Sequence, residues 1–156
     1  MAENASGSIV DSNFSQNSNT NANGGGALSL TNSPLEISGS EFIGNISQQS
    51  YGGAITMTNS SPVIQGTLFS LNQTGSFDGG AIHIAGTSSP NISGNTFSRN
   101  SAGQSGGAIN IDSSANPTIV NNIFNYNSSA GWGGAVYNKA NNFTLSEATF
   151  LGNYSN

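Results

Sequence analysis

The sequence predicts an all-β fold: a right-handed parallel β-helix, or solenoid, of about six turns of 27 residues with three short strands per turn. Two interleaved repeats and one alternation lead there. Gly-Gly followed by Ala and an aliphatic residue recurs five times, at Gly25-Gly26-Ala27-Leu28, Gly52-Gly53-Ala54-Ile55, Gly79-Gly80-Ala81-Ile82, Gly106-Gly107-Ala108-Ile109 and Gly133-Gly134-Ala135-Val136, and the first glycines are always 27 residues apart. Between these pairs runs Phe-x-x-Asn, at Phe14, Phe42, Phe69, Phe97, Phe124 and Phe150, with its asparagines at Asn17, Asn45, Asn72, Asn100, Asn127 and Asn153. Apolar and polar residues then alternate after each Gly-Gly pair, as in Ile82, His83 and Ile84, which is the period of a strand with one buried face.

Each element of the turn follows from its residues. The strand after Gly-Gly places Leu28, Ile55, Ile82, Ile109 and Val136 in one interior column and Leu30, Met57, Ile84 and Ile111 in a second. Another aliphatic column lies five residues before each Phe, at Ile9, Ile37, Ile64, Ile92, Ile119 and Leu145, preceded in four turns by Pro34, Pro62, Pro90 and Pro117. The phenylalanines form the last interior column. Pro, Gly and Asn at this density leave no room for a helix of useful length, and a right-handed sense follows from the crossover preference of parallel strands. Gly-Gly is expected where the chain takes a conformation closed to other residues or where turns approach closely, and Asn at a left-handed bend where its side chains hydrogen-bond along the rod.

Composition narrows the partners. Two cationic residues against seven acids give a net charge of −5, which argues against nucleic acid and against an anionic membrane surface. Asn occurs 24 times and Ser 27 times, yet the apolar residues keep fixed phases, so a core forms despite the polar bulk. Absence of cysteine removes disulfides and thiol chemistry. No stretch has the roughly 18 apolar residues of a membrane span, so no membrane insertion by this segment is expected. Nine Asn-x-Ser/Thr sequons carry little weight, because this composition produces roughly six by chance.

The alternation of Gly-Gly-Ala-Ile with Phe-x-x-Asn resembles the repeat pair by which chlamydial polymorphic membrane proteins, and the wider group of right-handed β-helix surface proteins, are identified. The similarity runs from Ile9 to Asn153. It implies a cell-surface or secreted passenger segment acting in adhesion, attached to the outer membrane through flanking regions. On this view residues 1–156 are a single β-helix segment excerpted from a longer passenger domain, with a host or neighbouring-cell protein or glycan as partner. The two ends are complementary in phase, so the isolated segment is expected to stack head to tail or to fray, and a self-assembling fibre subunit is one alternative reading.

The other alternative is a fragment of a pectate-lyase-like carbohydrate-active enzyme. Such chemistry needs clustered carboxylates, often with calcium and a basic residue. Mapped by phase, Glu3, Asp11, Glu36, Glu41, Asp78, Asp112 and Glu147 place no two carboxylates at the same phase of neighbouring turns, and Arg99 has no acid at its phase. A non-enzymatic protein without catalytic residues, metal or cofactor is therefore expected. The candidate binding residues lie on the outward phases of the first strand. One column reads Ser29, Thr56, His83, Asn110 and Tyr137, and its neighbour Thr31, Thr58, Ala85, Asp112 and Lys139. Asp112 and Lys139 are expected to pair across one turn, about 4.8 Å apart in backbone terms, on a solvated polar face. Tyr51, Phe77 and Trp132, in the loops before Gly-Gly, supply aromatic surface for a sugar ring or protein partner. Flat threonine columns of the ice-binding kind are excluded, because Thr31 and Thr58 give way to Ala85, Asp112 and Lys139.

Overall fold

The computed structural model describes residues 1–156 and contains only strands, turns and bends. Successive turns stack in parallel register into four six-stranded sheets, so each turn has four walls rather than the three expected. The first wall comprises Ala2–Glu3, Leu28–Thr31, Ile55–Thr58, Ile82–Ala85, Ile109–Ile111 and Val136–Asn138. The second begins at Gly7–Val10 and ends at Thr144–Ser146; the third begins at Asn13–Ser15 and ends at Thr149–Leu151. The additional wall follows the asparagines, with strands such as Gln73–Thr74 and Ser101–Ala102. Two residues per turn are too few for alternation to register, which is why this wall escapes a reading based on period two.

Pairing keeps the expected phases. Ile55, Ile82, Ile109 and Val136 are successive partners, as are Ile37, Ile64, Ile92 and Ile119. These columns are fully buried in the central turns, and with Met57, Ile84 and the phenylalanines they make one continuous core. The six phenylalanine rings stack face to face, with centroids 4.6 to 5.1 Å apart. In the final turn the same phases open to solvent: Leu145 and Phe150 are exposed and, with Val136 and Phe143, line an apolar cavity of about 440 Å³.

Buried polar columns close the corners. Asn100 donates its backbone N–H and its side-chain Nδ2–H to Asn127 Oδ1, at 3.0 and 2.9 Å, and Nδ2 also donates to the Phe69 carbonyl at 3.0 Å. Asn72 makes the same bonds to Asn100, and Asn45 to Asn72, so the ladder runs from Asn17 to Asn153. The left-handed bend lies one residue earlier than expected, at Gln16, Gly44, Leu71, Arg99, Tyr126 and Gly152. That displacement turns the asparagine side chain inward to bind the bend. A second asparagine step, Asn95 to Asn122, and a serine column, Ser33 to Ser60 to Ser88, serve two other corners.

The Gly-Gly pair divides its duties. Gly52, Gly79, Gly106 and Gly133 have φ between 62° and 72°, the left-handed region. At Gly53, Gly80 and Gly107 a Cβ would strike the carbonyl oxygen of the corresponding glycine one turn on. This corner carries the residue that precedes each pair, Tyr51, Asp78, Ser105 or Trp132, along the edge of the first wall.

Candidate binding groove

A groove of about 700 Å³ runs along the outer face of the first wall, bounded on one side by the corner column. Its size falls in the range of about 300 to 1,000 Å³ typical of small-ligand sites. Thr56, Thr58, His83 and Ala85 lie along its floor, Tyr51 and Asp78 rise from the corner, and Asp112 and Lys139 line it further along the rod. Five of the eight residues singled out from the sequence thus meet here: Tyr51, Thr56, His83, Asp112 and Lys139.

His83 is on the outward phase but is only 4% exposed, a departure from the expected solvated face. Tyr51, one turn earlier, lies over the imidazole with ring centroids 4.4 Å apart and planes 18° from parallel, while Phe77 meets the edge of the tyrosine at 5.2 Å. Thr56 Oγ1 donates to the Tyr51 carbonyl at 2.7 Å and ties the backbone under this ring to the wall. His83 Nε2 lies 3.4 Å from Asp112 Oδ2, and Asn110 Nδ2 donates to Asp112 Oδ1 at 3.2 Å. The hydrogen bond from His83 chiefly holds the Asp112 carboxyl below the usual carboxylate range, against the opposing effect of burial. Charge attraction from His83 and Lys139 and the Asn110 bond act in the same direction.

Two side-chain atoms of the first wall lack partners, one on His83 in the groove and one on Asn110, which is buried outside its lining. His83 Nδ1 and Asn110 Oδ1 are buried and unpaired, although the two residues are direct neighbours across adjacent strands. Their unpaired state contrasts with the fully paired asparagine ladder. A buried polar atom without a partner costs about 1 to 3 kcal/mol, so the first wall is less completely satisfied than the rest of the rod.

Lys139, placed by its phase within reach of Asp112, turns instead toward Asp78. Its Nζ lies 4.0 Å from Asp78 Oδ2, reaching back across two turns, and 5.3 Å from the centroid of Tyr137. Asp78 is almost fully buried, and its Oδ1 accepts the Ser105 backbone N–H at 2.8 Å. The phase map had set Asp78 apart from Asp112, yet both carboxylates line one groove. A corner residue and a wall residue of different phase face the same space when the corner projects beyond the sheet. The signal was present in the sequence: Asp78 precedes its Gly-Gly pair just as Tyr51 and Trp132 precede theirs. No three acidic or histidine side chains gather closely enough to enclose a metal ion.

Trp132 and Tyr137 stand outside the groove. They stack on one another at 5.9 Å between centroids, with Trp132 66% exposed. The aromatic residues of this corner therefore do not form one continuous strip.

A family model described as the right-handed β-helix region matches residues 1–156. The chain belongs to the right-handed β-helix family. The match supplies the handedness that parallel pairing alone leaves open. Comparison with curated proteins and with solved structures gave no match. In this chain the groove lies on the outer face of the first wall, where side chains differ from turn to turn while the core beneath them repeats.

Proposed function

We propose that this β-helix is a non-enzymatic structural and adhesive segment, displayed at a cell surface or secreted, that uses the first wall to contact a host or neighbouring-cell protein or glycan. The observation that carries the reading is the contrast between an unbroken rod and one irregular face. Core and corner residues repeat from turn to turn, whereas Tyr51, His83, Asp112 and Lys139 each occur once in their columns. A rigid solenoid holds such side chains at fixed spacing with little conformational freedom left to lose on binding. Beads coated with the chain should adhere to target cells, and soluble chain should compete them off. Failure of adhesion across varied cell types, or cleavage of any polysaccharide in a broad panel, would count against the reading.

One observation favours carbohydrate-active chemistry instead. Asp78, His83, Asp112 and Lys139 share a groove of ligand-binding size, so acid and base groups are at hand. Under that alternative, Asp112→Asn should abolish release of new sugar ends from a polysaccharide that the unaltered chain cleaves.

A further inference from the structure

We infer that the groove is a subsite for a neutral sugar ring, with Tyr51 as its stacking platform and the Asp112–His83 pair as its polar anchor. This names a ligand for the contact face proposed above and rests on that reading. Four features of the groove support it.

Tyr51 is 38% exposed, with its ring stacked on His83 and packed at a steep angle against Phe77. A ring held by two aromatic neighbours and still partly exposed presents apolar surface at low entropic cost, which suits the C–H face of a pyranose. The groove has a mixed lining: hydroxyls from Thr56 and Thr58, acceptors on Asp112 and Asp78, and a donor at Lys139. A polyol both donates and accepts, so it matches this mixture better than an apolar or purely ionic ligand does. His83 Nδ1 finds no hydrogen-bond partner within the chain, although His83 lines the groove and is only 4% exposed. A ligand hydroxyl, which both donates and accepts, can pair with this nitrogen from the groove beside the Tyr51 ring.

Charge selects neutral over acidic sugars. The groove contains two carboxylates and one lysine, and Lys139 is already close to Asp78. The whole chain carries −5, so a polyuronate meets repulsion on approach.

The test uses the full chain and its single histidine. The His83 imidazole gives one side-chain NMR signal, a direct reporter of the groove floor. Neutral linear oligosaccharides of glucose, mannose and xylose, and an oligogalacturonate of matching length, are titrated while that signal and the binding isotherm are followed. At least one neutral oligosaccharide should shift the His83 signal in a saturable way and bind more tightly than the uronate. Tyr51→Ala should weaken it roughly tenfold, as loss of one stacking contact does. Tyr51→Phe, which retains the stacking face, should bind nearly as well and guards against a folding artefact. Neutral-sugar binding that leaves the His83 signal unmoved and survives Tyr51→Ala overturns the groove assignment but leaves the contact-face reading standing. Tighter binding of the uronate overturns the ligand class alone. If no sugar binds while coated beads still adhere to cells, the subsite is wrong and the contact is with protein; if neither occurs, both readings fall.

Discussion

Asn100 and Asn110 belong to different columns, are the same residue type and are both fully buried, yet their surroundings differ completely. Asn100 belongs to a ladder in which its side chain accepts from Asn72 and donates to Asn127 and to the Phe69 carbonyl. Asn110 donates one long bond to Asp112 and leaves Oδ1 unpaired. A column of identical residues can satisfy itself, because each member supplies what its neighbour requires. A column reading Ser29, Thr56, His83, Asn110 and Tyr137 has no such symmetry, so hydrogen-bonding capacity is left over. The regular column stabilises the rod, and the irregular column leaves hydrogen-bonding capacity unused.

The sharpest break of the regular columns is Phe97→Ala. Phe97 is fully buried and stacked between Phe69 at 4.9 Å and Phe124 at 5.0 Å, so truncation should cost about 3 to 5 kcal/mol through lost burial and the cavity left behind. Chemical denaturation should show the midpoint falling at unchanged slope, and an unaltered midpoint would remove the phenylalanine column from the core. The asparagine pair tests the comparison directly. Asn100→Ala orphans groups on both neighbouring turns and should cost about 1 to 3 kcal/mol, or more if the losses add. Asn110→Ala deletes an unpaired acceptor along with its single bond and should cost less than about 1 kcal/mol. Equal losses for the two variants would erase the distinction between the two columns.

Tyr51→Ala should lower stability by about 0.5 to 1.5 kcal/mol by removing its ring contacts. It should also change the His83 NMR signal as the imidazole becomes accessible to water, whereas a solvated histidine would show no change. The smallest effect concerns acid. The folded-state pKa of Asp112 is depressed, so its contribution to stability is present above the ordinary carboxylate range and is lost as pH falls through the lowered value. Compared with Asp112→Asn, the unaltered chain should therefore lose more melting temperature between neutral and strongly acidic pH, and parallel acid limbs would show that Asp112 contributes nothing.

Much of the fold was legible because a solenoid converts sequence period into spatial coincidence. Ile82 pairs with Ile109 and Phe69 with Phe97 for the reason that made them visible as repeats, a constant turn length. The wall containing Gln73–Thr74 was not legible, since its strands are too short to show a pattern. The left-handed bend was placed one residue late because Asn is the residue usually associated with such backbone, whereas Leu71, Arg99 and Tyr126 adopt it here under the constraint of the ladder.

The sequence by itself determined the turn length, the interior columns, the paired glycines and the first-wall candidates, because each depends only on which residues share a phase. The tertiary structure decided how residues of different phase meet. Only the projection of the corner brings Asp78 into the groove with Asp112 and within 4.0 Å of Lys139, and only the ring of Tyr51, carried by the preceding turn, buries a histidine that points outward. Phase fixes position along and around the rod, but the reach of a side chain across two turns and the shape of a corner are set by packing, which no period encodes.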